Sequence, residues 1–137
     1  MKELTRSELR EKIMTILYQI NIYTLNKIEY DVDSIIKEVN PIDNEFVKDV
    51  VYGVITKKEE IDKLANEYLN KWTIDRLGNT DQSIIRMAIY ELLYTKTPGI
   101  VVINEAIELA KSYSDDDVKN MINGILDKIY KDKVEHE

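Results

Sequence analysis

No cysteine occurs in the sequence, which excludes a disulfide framework, a thiolate zinc site and a cysteine nucleophile. The one histidine, His136, stands one residue from the C-terminus, so histidine acid–base catalysis and the usual histidine metal sites have no support. The four glycines are isolated at positions 53, 78, 99 and 124, which excludes a Gly-rich phosphate loop and a dinucleotide fingerprint. No apolar run approaches the roughly 20 residues that cross a bilayer, and the opening MKELTRSELREK is charged throughout, unlike a signal peptide. A cytoplasmic protein without membrane segment, catalytic residues, cofactor or metal is expected.

Positive charge is also scarce. Against 26 acidic residues there are 19 basic ones, a net charge of −7. A free-standing basic nucleic-acid binder does not have this balance, so if the chain binds a nucleic acid the contact must be local and part of the positive charge must come from elsewhere.

What is present favours helices. With 137 residues and 44% hydrophobic content, the chain is sized for one domain, residues 1–137, around one core. Thr5 and Glu8 have capping-box spacing, and Leu9, Ile13, Ile16, Leu17 and Ile20 follow at helical intervals, predicting a helix over about residues 5–24. Val32, Ile35, Ile36 and Val39 mark a short second helix that Asn40-Pro41 stops. Asp43 is a candidate cap for a third helix with Phe46, Val47, Val50, Val51 and Val54 on its apolar face. A fourth, carrying Ile61, Leu64, Ala65, Tyr68 and Leu69, is expected to end near Trp72. Asn79 or Thr80 can cap a fifth helix, apolar over so much of its circumference (Ile84, Ile85, Met87, Ala88, Ile89, Leu92, Leu93) that it should be central. After Pro98-Gly99 the run VVIN reads as β-like before Ile103, Ala106, Ile107 and Ala110 settle into helical spacing. Ser114 is the natural cap of a last helix containing Val118, Met121, Ile122, Ile125 and Ile129, and the tail KDKVEHE is expected to fray.

Two acidic groupings have bland explanations. Glu105 and Glu108 are spaced like half of a di-iron motif, but the Glu-x-x-His segments are absent. Ser114-Asp115-Asp116-Asp117 lacks the alternating ligands and closing glutamate of a calcium loop, and acidic residues in a first turn offset the helix dipole.

The segment INEAIELAKSYSDDDVKNMINGILDK, residues 103–128, resembles the C-terminal signature of the NusB family. Its key pieces are Asn104-Glu105-Ala106, Glu108-Leu109-Ala110-Lys111 and Asn123-Gly124-Ile125-Leu126-Asp127. Trp72, Arg76-Leu77, Asp81, Ile85-Arg86 and Tyr90-Glu91 resemble the family's central segment, and Arg6, Arg10 and Leu17-Tyr18 its opening helix. Residues 25–45 match least. The resemblance implies an all-α fold of about seven helices in two sub-bundles. It further implies a transcription antitermination factor that binds boxA RNA of ribosomal RNA leaders. The partner would be NusE, a small-subunit ribosomal protein, within the antitermination complex of elongating RNA polymerase. The alternative is a homodimeric interaction module that masks its RNA surface. The same module is also fused to ribosomal RNA cytosine methyltransferases, but no cofactor-binding domain accompanies it in these 137 residues.

On an ideal helix Arg6 and Arg10 are one turn apart, and Tyr18 lies roughly 12 Å beyond Arg10 and about 80° round. Guanidinium groups contact phosphates or bases, and a tyrosine ring can stack on an unpaired base. The resemblance carries RNA contact onto Arg6, Arg10 and Tyr18. On the central helix, Arg86 is a further RNA candidate, with Asp81 and Glu91 as partner contacts; intramolecular pairing is the competing reading for all three. Ser7 and Glu8 replace basic residues common in the family, and Gln82 stands where the family can carry another. Residues 1–12 hold four basic and three acidic side chains, so RNA affinity without a partner should be weak. Asn123 and Asp127 are expected to bond to backbone at helix junctions, and Gly124 to mark close helix packing.

Overall fold

The computed structural model describes residues 3–135, and His136 lies outside them. Among the described residues the chain is helical, with no strand: α1 (Arg6–Leu25), α2 (Val32–Val39), α3 (Glu45–Tyr68), α4 (Asn79–Tyr94), α5 (Gly99–Tyr113) and α6 (Asp116–Ile129). A 3-10 turn at Ile74–Arg76 precedes α4, and a π-turn at Tyr130–Val134 follows α6.

α1 begins on the expected capping box. The Thr5 side chain accepts from the Glu8 amide, and Glu8 accepts from the Thr5 amide, satisfying two of the free donors at the helix start. Residues 45–68 form one helix rather than two. No glycine or proline breaks Thr56–Glu60, and Val54 and Ile61 are seven residues apart, so the two apolar stripes are in phase and both reach the core. The polar run between them is the solvated face. Asn44 caps α3; Asp43, expected there, pairs with Lys48 instead.

α4 is central, with every residue from Gln82 to Leu92 buried and α1, α3 and α5 packed around it. Gly78 holds its cap position without a side-chain bond, so neither Asn79 nor Thr80 is the cap. α5 starts at Gly99, so the β-like run is helical. Val102 is buried there, and its packing outweighs the weak helix propensity of β-branched residues. Ser114 ends α5, and Asp115 caps α6 by accepting from the Val118 amide at 2.9 Å, with Asp116 and Asp117 in the first turn. The tail does not fray at once: Val134 packs against the core, and Tyr68 donates to Asp132 at 2.7 Å.

The expectation of close packing at Gly124 is corrected, because a Cβ there would meet nothing within 4 Å. Close approaches occur at Gly53, where a Cβ would fall 2.1 Å from the Tyr90 ring, and at Gly99, where it would fall 2.2 Å from the Tyr130 ring. No helix of the described residues is long and apolar enough to cross a membrane, and no group of three or more His, Cys, Asp or Glu among them could hold a metal ion.

Phenol–carboxylate bonds tie the helices together: Tyr52 donates to Asp33, Tyr68 to Asp132, Tyr90 to Asp49 and Tyr94 to Glu60. The bond to Asp33 pushes the Tyr52 phenol up to about 12, and burial with Asp132 does the same for Tyr68. Unfolded tyrosines titrate near 10, so this stabilisation is complete below about pH 10 and is lost as the pH rises through about 12. A phenolate absorbance titration should show a high-pH step that shrinks in Tyr52→Phe and in Tyr68→Phe. Titration of all nine tyrosines in one step near 10 would contradict it.

Candidate nucleic-acid interface

The site candidates divide by burial. Arg10, on the edge of α1's apolar stripe, is 3% exposed. Its Nε and one terminal nitrogen donate to the two oxygens of Glu91 on α4, each at 2.8 Å, and its other nitrogen donates to Glu105 Oε1 on α5 at 2.9 Å. Ser7 Oγ donates to the same Glu105 oxygen at 2.5 Å. Burial lowers the Arg10 pKa, but the bonds and charge of Glu91 and Glu105 more than offset this and raise it. Arg10 and Glu91, singled out separately for RNA and partner contact, therefore join each other inside the bundle. Neither presents a free group at the surface.

Arg86 behaves alike. Its Nε and one terminal nitrogen donate to the two oxygens of Asp62 at 2.8 and 3.1 Å, and its other nitrogen donates to Asn21 Oδ1 at 3.4 Å. Gln82 is internal too, donating to the Leu77 carbonyl and accepting from Asn21. Asp81 is half-buried and accepts from Ser114 Oγ, linking the start of α4 to the end of α5. For Arg86, Glu91 and Asp81 the competing intramolecular pairing is what the structure contains. The polar residues of the C-terminal signature also differ from expectation. Asp127 pairs with Lys131 at 3.2 Å rather than with backbone, and Asn123 is exposed.

Two candidates remain at the surface, both on α1. Tyr18 is 40% exposed. Arg6, in the first turn, lies with its guanidinium 4.0 Å from the centroid of the Phe46 ring, in cation–π contact, and no carboxylate pairs with it among the described residues. Arg10 approaches the same ring at 5.2 Å. Arg6, Arg10, Met14 and Tyr18 occupy successive positions of one i, i+4 row of α1, two of them buried and the two ends exposed. Phe46 reads in the sequence only as part of α3's apolar face. Nothing local signals its second role, because its two guanidinium partners lie on another helix.

Residues 7–131 match the NusB family model. The chain belongs to the NusB family. A curated relative from Exiguobacterium sp., a transcription antitermination protein NusB, is 42% identical over 131 residues, covering 93% of this chain and 98% of the relative. Among solved structures, T. maritima NusB superposes with a TM-score of 0.82 at 32% identity, covering 96% of this chain and 94% of that one. A structure of antitermination factors NusB and NusE in complex with double-stranded RNA superposes with a TM-score of 0.77 at 28% identity, covering 92% of this chain and 96% of its counterpart. The all-α fold implied by the resemblance is thus the family's fold, and family membership makes the chain a transcription antitermination factor.

Proposed function

We propose that this NusB-family chain is a non-enzymatic, cytoplasmic RNA-binding subunit. It holds boxA RNA of ribosomal leaders jointly with NusE and joins the antitermination complex of RNA polymerase. The observation that carries this reading is the exposed end of α1, where Arg6, with no carboxylate partner among the described residues, lies over the Phe46 ring, with an exposed Tyr18 farther along the same helix. The complex of a relative with NusE and double-stranded RNA supports RNA as the class of ligand and NusE as the partner. Arg6 supplies planar, charge-assisted donors to a phosphate or base, and Tyr18 supplies a stacking face. Arg10 then serves indirectly, fixing α1 against α4 and backing the Phe46 ring. Arg86, Asp81 and Glu91 hold the helices at the spacing on which this surface depends.

The test is a boxA RNA titration, with NusE present, of Arg6→Ala and Tyr18→Ala. Both residues are exposed, so helical content and NusE binding should persist. Tyr18→Ala should lose about 1–3 kcal/mol of RNA binding free energy, and Arg6→Ala should also weaken binding and reduce its salt dependence. Wild-type RNA affinity in both variants would refute the assignment of α1.

A further inference from the structure

Beside Arg6 lies a cavity that the family reading leaves unused. It has a volume of about 480 Å³, within the range typical of small-molecule sites, and it is lined by Arg6, by the aliphatic side chains of Leu4, Leu9 and Ile42, by the amides of Asn40 and Asn44, and by the carboxylates of Glu3 and Asp43, of which Asp43 is paired with Lys48. Its position follows from the fold: the segment before α1 forms one wall, and the loop between α2 and α3 forms the other. Leu4 and Ile42 are 38% and 63% exposed, so both offer apolar surface at the cavity mouth. Asn40 is committed to the Ile42 carbonyl, and the Asn44 oxygen to capping α3, which leaves the Asn44 amide nitrogen free to donate.

We infer that this cavity is a single-nucleotide subsite for an unstacked base of the bound RNA, with Arg6 taking that nucleotide's phosphate. The inference rests on the RNA-binding reading above and adds to it a place, a ligand unit and a positioning residue. The chemistry agrees on three counts. A base is a flat, largely apolar ring with polar edges, suited to a gap between two aliphatic side chains with an amide donor at its side. Arg6 has no carboxylate partner among the described residues and already rests over the Phe46 ring, so it loses little freedom when it meets a phosphate. Phe46 is in turn backed by Arg10, which Glu91 and Glu105 hold in place. Phe46 is thus a positioning residue that acts through Arg6.

The experiment couples protein variants to RNA lesions. Wild type, Ile42→Trp, Ile42→Ala and Phe46→Leu, each with NusE, are titrated with boxA RNA and with a set of boxA RNAs carrying one abasic nucleotide at successive positions. Ile42 is exposed, so its variants should fold normally, and Phe46→Tyr restores the aromatic shelf should Phe46→Leu prove unstable. Filling the cavity in Ile42→Trp should weaken intact RNA at least tenfold. One abasic position should cost wild type a similar factor and cost Ile42→Trp nothing further. Phe46→Leu should lower the salt dependence of binding as Arg6→Ala does, with Phe46→Tyr recovering it. If every abasic position costs wild type and Ile42→Trp the same factor, the subsite is refuted while the α1 reading stands. If Arg6→Ala and Tyr18→Ala also bind normally, both fall.

Discussion

Replacing Glu91 with alanine is expected to destabilise the protein by about 3–5 kcal/mol, because the Arg10 guanidinium would be left buried without its main partner. Glu91 is 1% exposed, and its two oxygens accept two of the three bonds that Arg10 makes to carboxylates. Glu105 alone cannot compensate, since it meets only the third of these donors and is shared with Ser7. Arg10→Ala should cost a comparable amount by stranding the Glu91 carboxylate. The pair need not stabilise the fold in absolute terms: taking both charges out of water is costly, so the double replacement Arg10→Met with Glu91→Leu should be much milder than either alanine variant. Urea unfolding of the four proteins gives the cycle. Single variants within about 0.5 kcal/mol of wild type, as is usual for surface changes, would mean that the pair is solvated.

The second large effect is expected at Gly53. An alanine Cβ there would lie 2.1 to 2.5 Å from Tyr90 ring and hydroxyl atoms, far inside contact distance. The ring cannot move freely, because Tyr90 is 7% exposed, packs against Tyr94 with centroids 5.4 Å apart and donates to Asp49. Overpacking of this kind costs about 1–3 kcal/mol, although glycine-to-alanine changes in open helix interiors ordinarily stabilise by about 1 kcal/mol. Gly124→Ala is the internal control: with open space at its Cβ it should show that ordinary gain. Gly53→Ala should become nearly harmless in a Tyr90→Leu background. A stabilised Gly53→Ala single variant would show that α3 and α4 are not held at this separation.

The contrast between Gly53 and Gly124 shows where the sequence is legible. Both are glycines inside helical patterns, and only the partner helix distinguishes a contact from open surface. The capping box of α1 and the central position of α4 can be read directly, since each depends on residues within a few positions of one another. The unbroken α3 reads as two helices until the phase of the apolar stripes on either side of its polar run is compared. The site residues were hardest. Arg10 meets Glu91 at a separation of 81 residues and Glu105 at 95, and Arg86 meets Asp62 at 24. An arginine bordering an apolar stripe therefore looks the same in sequence whether it serves RNA or the core. Arg6 and Tyr18 stay at the surface because one occupies the first turn of α1 and the other the margin of its buried face.

The central claim is that this acidic chain reads RNA together with a partner, and an equilibrium titration of boxA RNA with and without NusE tests it most directly. With Arg6 displayed at the start of α1 and a net charge of −7, the chain alone should bind weakly. NusE should tighten binding at least tenfold, equivalent to about 1.4 kcal/mol. Equal affinity with and without NusE, or no binding in either case, would contradict it.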